Sequence, residues 1–241
     1  MDKTYHKNVI EDYKEFTNEL QPDWKKSNER AAVDWNEKAP KGEKEFIEYY
    51  EKSNDYIEAM ATYNSMGKKL RLIEKICKVI ATVPDIKAIV DFGCGVGSDS
   101  LHLNGLGYKV TAMDVKGRAL EFCKYRFEKY ASGQITTIPV SIDTKIPKCD
   151  LILSLDTLEH VFDPYKTLDQ MFEAEPKAIL LTTAFGVHDH DNQGGIPMHT
   201  DHKVSKVEKY IQEHGYIKQK LTVAFPPRLF IKKRMNQKRT I

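Results

Sequence analysis

Cysteine is scarce: the four residues Cys77, Cys94, Cys123 and Cys149 are spread through 241 residues without a Cys-x-x-Cys pair. That spacing argues against both a disulfide framework and a thiolate zinc site, and a reducing cytoplasm is the expected setting. Long hydrophobic runs are missing as well. No stretch approaches the roughly 18 apolar residues that span a bilayer, so no membrane partner is expected, and Met1 to Glu11 is too polar for the apolar part of a secretory signal. Charge of one sign is also lacking. Lys and Arg number 37 against 35 Asp and Glu, a net +2, which does not call for a polyanionic partner. Nucleic acid is therefore not expected, although the tail from Lys232-Lys233-Arg234 to Lys238-Arg239 collects five positive charges; a charged terminus reads as a solvated end. Internal repeats and low-complexity segments are absent. The remainder, 41% hydrophobic and 30% charged, describes a folded chain with a sizeable core.

Two textures divide the chain, and the expected organisation is a helical cap over 1–66 and one larger domain over 67–241. The first part is rich in Lys, Glu, Tyr and Trp, and its stretch Glu43 to Tyr63, with Phe46, Tyr49, Tyr50, Tyr56 and Tyr63, reads as helix. A helix from about Lys68 to Thr82 follows, with Leu70, Ile73, Ile76, Cys77 and Ile80 at helical spacing before Pro84. From Ala88 short β-branched runs alternate with helical segments. Ala88 to Phe92, Lys109 to Met113, Ile135 to Ile142, Leu151 to Leu155 and Ala178 to Thr183 read as strands. Ser98 to Leu106, Gly117 to Tyr130, Pro164 to Glu173 and Val204 to His214 read as helices, the third opened by Asp163 as N-cap and Pro164 in the first turn. Strands in such alternation form a parallel sheet. Tyr216 to Ala224 and Arg228 to Lys232 read as two more strands joined through Pro226-Pro227, a connection short enough to favour an antiparallel pair. The predicted fold is a doubly wound α/β sheet of seven mostly parallel strands, with an antiparallel strand at the C-terminal end.

The first strand ends in Asp91 and passes directly into Gly93-Cys94-Gly95-Val96-Gly97, three glycines where backbone must turn sharply and approach a ligand. The dinucleotide fingerprint G-x-G-x-x-G is not met, because Ser98 stands where its third glycine belongs. Val90 to Gly97 instead resembles motif I of class I S-adenosylmethionine-dependent methyltransferases, in which the glycine loop lies under the methionine and ribose of the cofactor. Three later positions are similar to that family in the same order. Asp114 closes the second strand seventeen residues after Gly97, placed to accept both ribose hydroxyls and to repel a phosphate. Asp143, after Ile142, matches the position that bonds the adenine amino group. Asp156-Thr157-Leu158-Glu159-His160-Val161 resembles the Asp-x-Leu-Glu-His-Val stretch of many small-molecule methyltransferases. The cofactor residues so implied are Asp91, Gly93, Cys94, Gly95, Gly97, Asp114, Val115, Ile142, Asp143, Leu155 and Asp156, and the implied cofactor is S-adenosyl-L-methionine, with S-adenosyl-L-homocysteine as product.

Methyl transfer to a hydroxyl requires removal of one proton. His160 is one candidate base. The segment Ala184 to Lys203 supplies others: His188, His190, His199 and His202 place half of the eight histidines in fifteen residues, and His199 and His202 join His160 as candidate catalytic groups. The same segment also reads as a solvated lid hinged at Gly186, Gly194 and Gly195. Asp156, Glu159 and His160 with His202 resemble the carboxylate and imidazole set of metal-dependent 2′-O-methyltransferases, but the first carboxylate is Asp where those have Glu, so no metal is expected. Phe162-Asp163-Pro164-Tyr165 is explained by its helix start, and Tyr56, Tyr63 and Met66 are candidates to lie over the sulfonium or the acceptor. The expected activity is methylation of oxygen or nitrogen on a small-molecule acceptor by a monomer or homodimer. RNA methylation, nicotinamide-dependent oxidoreduction and a non-catalytic binding module are the competing classes.

Overall fold

Seven strands form one sheet in the order β3-β2-β1-β4-β5-β7-β6. They are β1 (Ala88–Phe92), β2 (Lys109–Val115), β3 (Ile135–Val140), β4 (Leu151–Leu155), β5 (Ala178–Thr182), β6 (Tyr216–Lys218) and β7 (Arg228–Lys232). The computed structural model describes residues 8–18, 24–38, 40–183, 185, 200, 202–221 and 227–233. β1 to β5 are parallel, while β7 runs antiparallel to β5 and to β6, so the expected doubly wound sheet is found. Every residue of β4 is buried, as a central parallel strand covered on both faces must be. Pro139 is accommodated because β3 lies at the edge of the sheet.

Side chains alternate between two apolar layers with the period of two that strands impose. Val90, Ile152, Ile179, Leu181 and Phe230 pack against Leu168 and Met171 of α8 (Pro164–Glu173) and Val207 and Ile211 of α9 (Val204–Glu213). Ile89, Leu151, Leu153, Leu180 and Leu229 face Ile73, Ile76 and Ile80 of α5 (Gly67–Ile80). The remaining helices of this layering are α6 (Ser98–Gly105) and α7 (Arg118–Tyr130). α8 starts as expected, with the Asp163 carboxylate accepting the N–H groups of Tyr165 and Lys166. Among the described residues no helix is long and apolar enough to cross a membrane.

Three expectations change. Glu43 to Tyr63 is not one helix but two, α3 (Glu43–Lys52) and α4 (Asn54–Ser65). Ser53 adopts an extended conformation between them and its hydroxyl accepts the Tyr56 N–H, ending one helix and capping the next. Two further helices precede them, α1 (Val9–Thr17) and α2 (Trp24–Lys38). β3 stops at Val140, short of Ile142, because Ser141 and Thr144 close a turn in which the Ser141 N–H donates to Thr144 Oγ1 and the Thr144 N–H to Ser141 O. β6 ends at Lys218, and residues 222–224 of the expected strand lie outside the described residues.

The glycine loop enters α6 through Gly97 at φ +73°, a left-handed conformation that penalises a side chain. A Cβ there would stand 2.6 Å from Cys123 Sγ and 2.8 Å from Phe127 Cε1. Gly97→Ala is therefore expected to lower stability by about 2 kcal/mol. Calorimetric melting should register a fall of roughly 4–8 °C, and an unchanged melting point would contradict the tight fit.

Candidate active site

The sheet changes winding direction between β1 and β4, the place where open α/β folds leave a crevice beyond the carboxyl ends of their strands. A cleft partly open to solvent lies there. Its floor is Phe92 at the end of β1 and Gly93 after it, Asp114 and Val115 of β2, Ser141 and Ile142 after β3, and Asp156 and Thr157 after β4. The N-terminal helices cover it: Phe46, Ile47 and Tyr50 of α3 and Tyr56 of α4 face His160, Val161 and Phe162. Those aromatics belong to a cluster with Ala31, Trp35 and Tyr49 that packs on Val115.

Asp114 is the most closely determined group in the cleft. It is 7% exposed, its Oδ2 accepts the Gly95 N–H at 2.6 Å and its Oδ1 the Val115 N–H at 2.8 Å. Burial raises its pKa to about 6, against the opposing pull of those two bonds. The first two loop N–H groups, of Gly93 and Cys94, both donate to the Met113 carbonyl. Together these bonds fold the loop against β2 and hold one carboxylate beside it.

Asp91, also in the expected cofactor set, lies beneath the loop: it is buried and accepts the Ser100 hydroxyl at 2.5 Å. Burial and, next, Asp99 push its pKa up to about 7. An unfolded chain releases that proton near 4, so between these values the folded state holds more protons and stability grows as pH falls. From pH 7 to pH 5 the expected gain is about 2 kcal/mol, read as rising urea midpoints; Asp91→Asn should remove most of this slope, and a flat wild-type profile would contradict it.

After β4, Asp156 is held at φ +52°, an uncommon conformation for a residue with a side chain and one that concentrates at functional sites. Its N–H donates to both the carbonyl and the hydroxyl oxygen of Thr182, its Oδ1 accepts the Thr182 hydroxyl at 2.7 Å, and its Oδ2 accepts the Tyr63 hydroxyl at 3.2 Å. His160 ends a 3-10 turn, Leu158–His160, with Nδ1 3.1 Å from the Tyr50 hydroxyl. Tyr50 remains a phenol, since burial raises its pKa well above the usual value. Burial pulls Lys69 of α5 down, but Asp99, 2.7 Å away, and Asp156 outweigh it and keep the lysine charged.

The expected residues are thus sorted by place. Gly93, Asp114, Val115, Ile142, Asp156 and His160 line the cleft, as does Tyr56. Asp143 does not: it is exposed in the turn that ends β3, because that turn closes two residues before the expected strand end. Leu155 is buried in the sheet, and Cys94 is buried with its sulfur 4.0 Å from Cys123 Sγ. Met66 precedes α5 without lining the cleft, and Gly95 and Gly97 belong to the glycine loop but are not among the residues that line the cleft. His202 lies edge-on to Tyr165 and Phe185 at ring distances of 5.6 Å, a packing position. His199 lies outside the described residues, as do His188, His190 and Asp201. Asp156, Glu159, His160 and His202 do not come together as a metal-binding set of three or more among the described residues. Tyr50, Thr182 and Lys69 were missed. Tyr50 was visible only as one of five aromatics on a helix, and no local signal joins Thr182 or Lys69 to Asp156 or Asp99.

A family model described as a methyltransferase domain matches residues 66–225. The chain belongs to that methyltransferase family. The expectation of a class I S-adenosylmethionine-dependent methyltransferase therefore holds in family and in fold. One relative of this methyltransferase, YqeM of Bacillus subtilis (strain 168), carries the methyltransferase name and is 28% identical over 116 residues, 45% of either chain. The chain thus spans less than half the length of that relative. Among solved structures, magnesium protoporphyrin IX methyltransferase of Synechocystis PCC 6803 with bound S-adenosylhomocysteine superposes with a TM-score of 0.56 at 17% identity, covering 86% of this chain and 96% of that one. Phosphoethanolamine N-methyltransferase 2 of Haemonchus contortus, in complex with S-adenosylmethionine, gives 0.59 at 15% identity over 71% and 44% of the two chains. At such identities the likeness is one of fold.

Proposed function

We propose that the cleft binds S-adenosylmethionine and that the enzyme transfers its methyl group to oxygen or nitrogen of a small-molecule acceptor. The observation that carries this is the buried Asp114 carboxylate, anchored by two backbone N–H groups at the end of β2 beside a glycine loop. A carboxylate there suits a ribose diol and opposes a phosphate. Val115 and Ile142 would flank the planar base, and the loop would lie under the ribose and methionine. Bound, the cofactor supplies a methyl group activated on a sulfonium. Tyr50 and Tyr56 exclude water from above, a role that makes residues 1–66 a lid on a catalytic domain over 67–241. For a hydroxyl acceptor His160 takes the proton: with Nδ1–H donating to the Tyr50 oxygen, the other ring nitrogen keeps its lone pair.

The small-molecule reading is supported by the cleft walls. The carboxylates Glu43, Asp114, Asp156 and Asp163 line it, and among the described residues no lysine or arginine does, whereas an RNA site needs a basic surface. An acceptor with an apolar body and no negative charge fits these walls. The four free cysteines suit work in a reducing cytoplasm.

Calorimetric titration with S-adenosylmethionine, S-adenosylhomocysteine and NAD, each with and without Mn²⁺, tests the proposal. Binding of both sulfur compounds and not NAD is expected, independent of Mn²⁺. Binding of NAD alone would return the chain to the oxidoreductases, and a Mn²⁺ requirement would favour the metal-dependent alternative at Asp156, Glu159, His160 and His202.

A further inference from the structure

A buried ion pair ties the N-terminal helix to the glycine loop. Arg126 of α7 is 0% exposed and Asp12 of α1 is 1% exposed. Arg126 Nε donates to Asp12 Oδ2 at 3.1 Å. From the same guanidinium, Nη1 donates to the Val96 carbonyl at 2.8 Å and to Ser98 Oγ at 2.7 Å. Val96 stands between the second and third glycines of the loop, and Ser98 begins α6. The other oxygen of Asp12 accepts the Tyr130 hydroxyl at 2.6 Å and Lys129 Nζ at 3.0 Å. The Val96 side chain is buried in a cluster with Val9 and Tyr13 of α1, Ile57 and Ala61 of α4, and Phe122.

Apolar contact alone would dock α1, and desolvating two charges costs several kcal/mol per ion. What the pair adds is one defined geometry for a backbone carbonyl inside the loop. The loop is therefore gripped twice, by Arg126 at Val96 O from below and by Asp114 at the Gly95 N–H from the cleft side. No residue of α1 lines the cleft.

We propose that Asp12 and Arg126 are positioning residues for the cofactor: α1 sets the shape of the glycine loop through this pair and is part of the binding apparatus without touching the ligand. The inference rests on the proposed binding of S-adenosylmethionine. Without the Asp12 charge, Arg126 is buried beside a neutral partner, its hold on Val96 O loosens, and Asp114 loses the fixed N–H that orients it.

The test compares wild type with Asp12→Asn, with Tyr130→Phe, which keeps both charges and drops one bond to Asp12, and with Leu229→Ala. Leu229 is buried in β7, three strands from β1, so its loss lowers stability without reaching the loop. Hydrogen exchange of the amides from Gly95 to Ser98 in the unliganded protein is one readout, and S-adenosylhomocysteine affinity by calorimetry is the other. Asp12→Asn is expected to speed exchange and weaken affinity, each about tenfold, and Tyr130→Phe about twofold in the same direction. Leu229→Ala should lower the melting point and leave both readouts unchanged. Wild-type affinity and exchange in Asp12→Asn and Tyr130→Phe would overturn the inference while leaving the proposed function standing. If wild type itself does not bind S-adenosylhomocysteine, the proposed function falls and takes the cofactor role of the pair with it.

Discussion

Asp114→Ala is expected to weaken S-adenosylhomocysteine binding about 100-fold or more, since two hydrogen bonds to an ionised acceptor are lost, together about 3 kcal/mol or above. The carboxylate serves two purposes in the proposed site, accepting the diol and holding the Gly95 N–H at 2.6 Å. Alanine removes both, so the ligand loses its partner and the loop loses an anchor. The fold itself should survive. Burial already raises the Asp114 pKa to about 6, which means the folded state bears a cost for keeping this group charged at neutral pH, and removing it relieves that cost. Melting within a few degrees of wild type, alongside the lost affinity in calorimetry, is the expected pair of results. The same pKa fixes a pH dependence: only the charged form accepts two hydroxyls, so wild-type affinity should fall as pH drops through about 6. Affinity that is unchanged by Asp114→Ala would remove the basis of the cofactor assignment.

The second large effect is expected at His160. With a hydroxyl acceptor, His160→Gln should lower kcat about 100-fold, the ordinary contribution of a positioned base. Glutamine retains a group for the Tyr50 hydroxyl, 3.1 Å from Nδ1, but does not titrate near neutrality. The acid limb of the kcat profile, read at saturating S-adenosylmethionine, should therefore vanish, with the KM for S-adenosylmethionine unchanged. Tyr50→Phe should shift that limb and cost less, because it loosens the ring without removing the base. Production of S-adenosylhomocysteine over a panel of phenols, diols and amines measures all three proteins. Equal turnover by His160→Gln and wild type would reassign His160 to packing and point to an amine, which sheds its proton to water.

The proposed cofactor end of the cleft was legible in the sequence because its parts lie at strand ends. The glycine loop and Asp114 are spaced by the lengths of one helix and one strand, so a reader of periodicity meets them at neighbouring strand ends, while Asp91 lies buried beneath the loop. The strands of the sheet were legible for the same reason, through runs such as Ala88 to Phe92 and Leu151 to Leu155, whose residues must be buried on both faces. Asp143 shows the limit. It directly follows the expected strand end at Ile142, but the strand stops two residues earlier at Val140, because bonds to the Thr144 hydroxyl from Ser141 close the chain early and leave Asp143 exposed.

Local sequence determined the α/β alternation, the glycine loop, the acid at the end of β2 and the capped start of α8, since hydrophobic period, backbone freedom and capping act over a few neighbouring residues. Tertiary structure alone decided what those parts meet. Asp12 and Arg126 are 114 residues apart, Tyr63 and Asp156 are 93 apart, and Tyr50 and His160 are 110 apart. No helical or strand period relates such positions. Only the docking of the N-terminal helices across the carboxyl ends of β1, β2 and β4 brings them together, and that docking arises from burial of apolar surface, which is indifferent to distance along the chain.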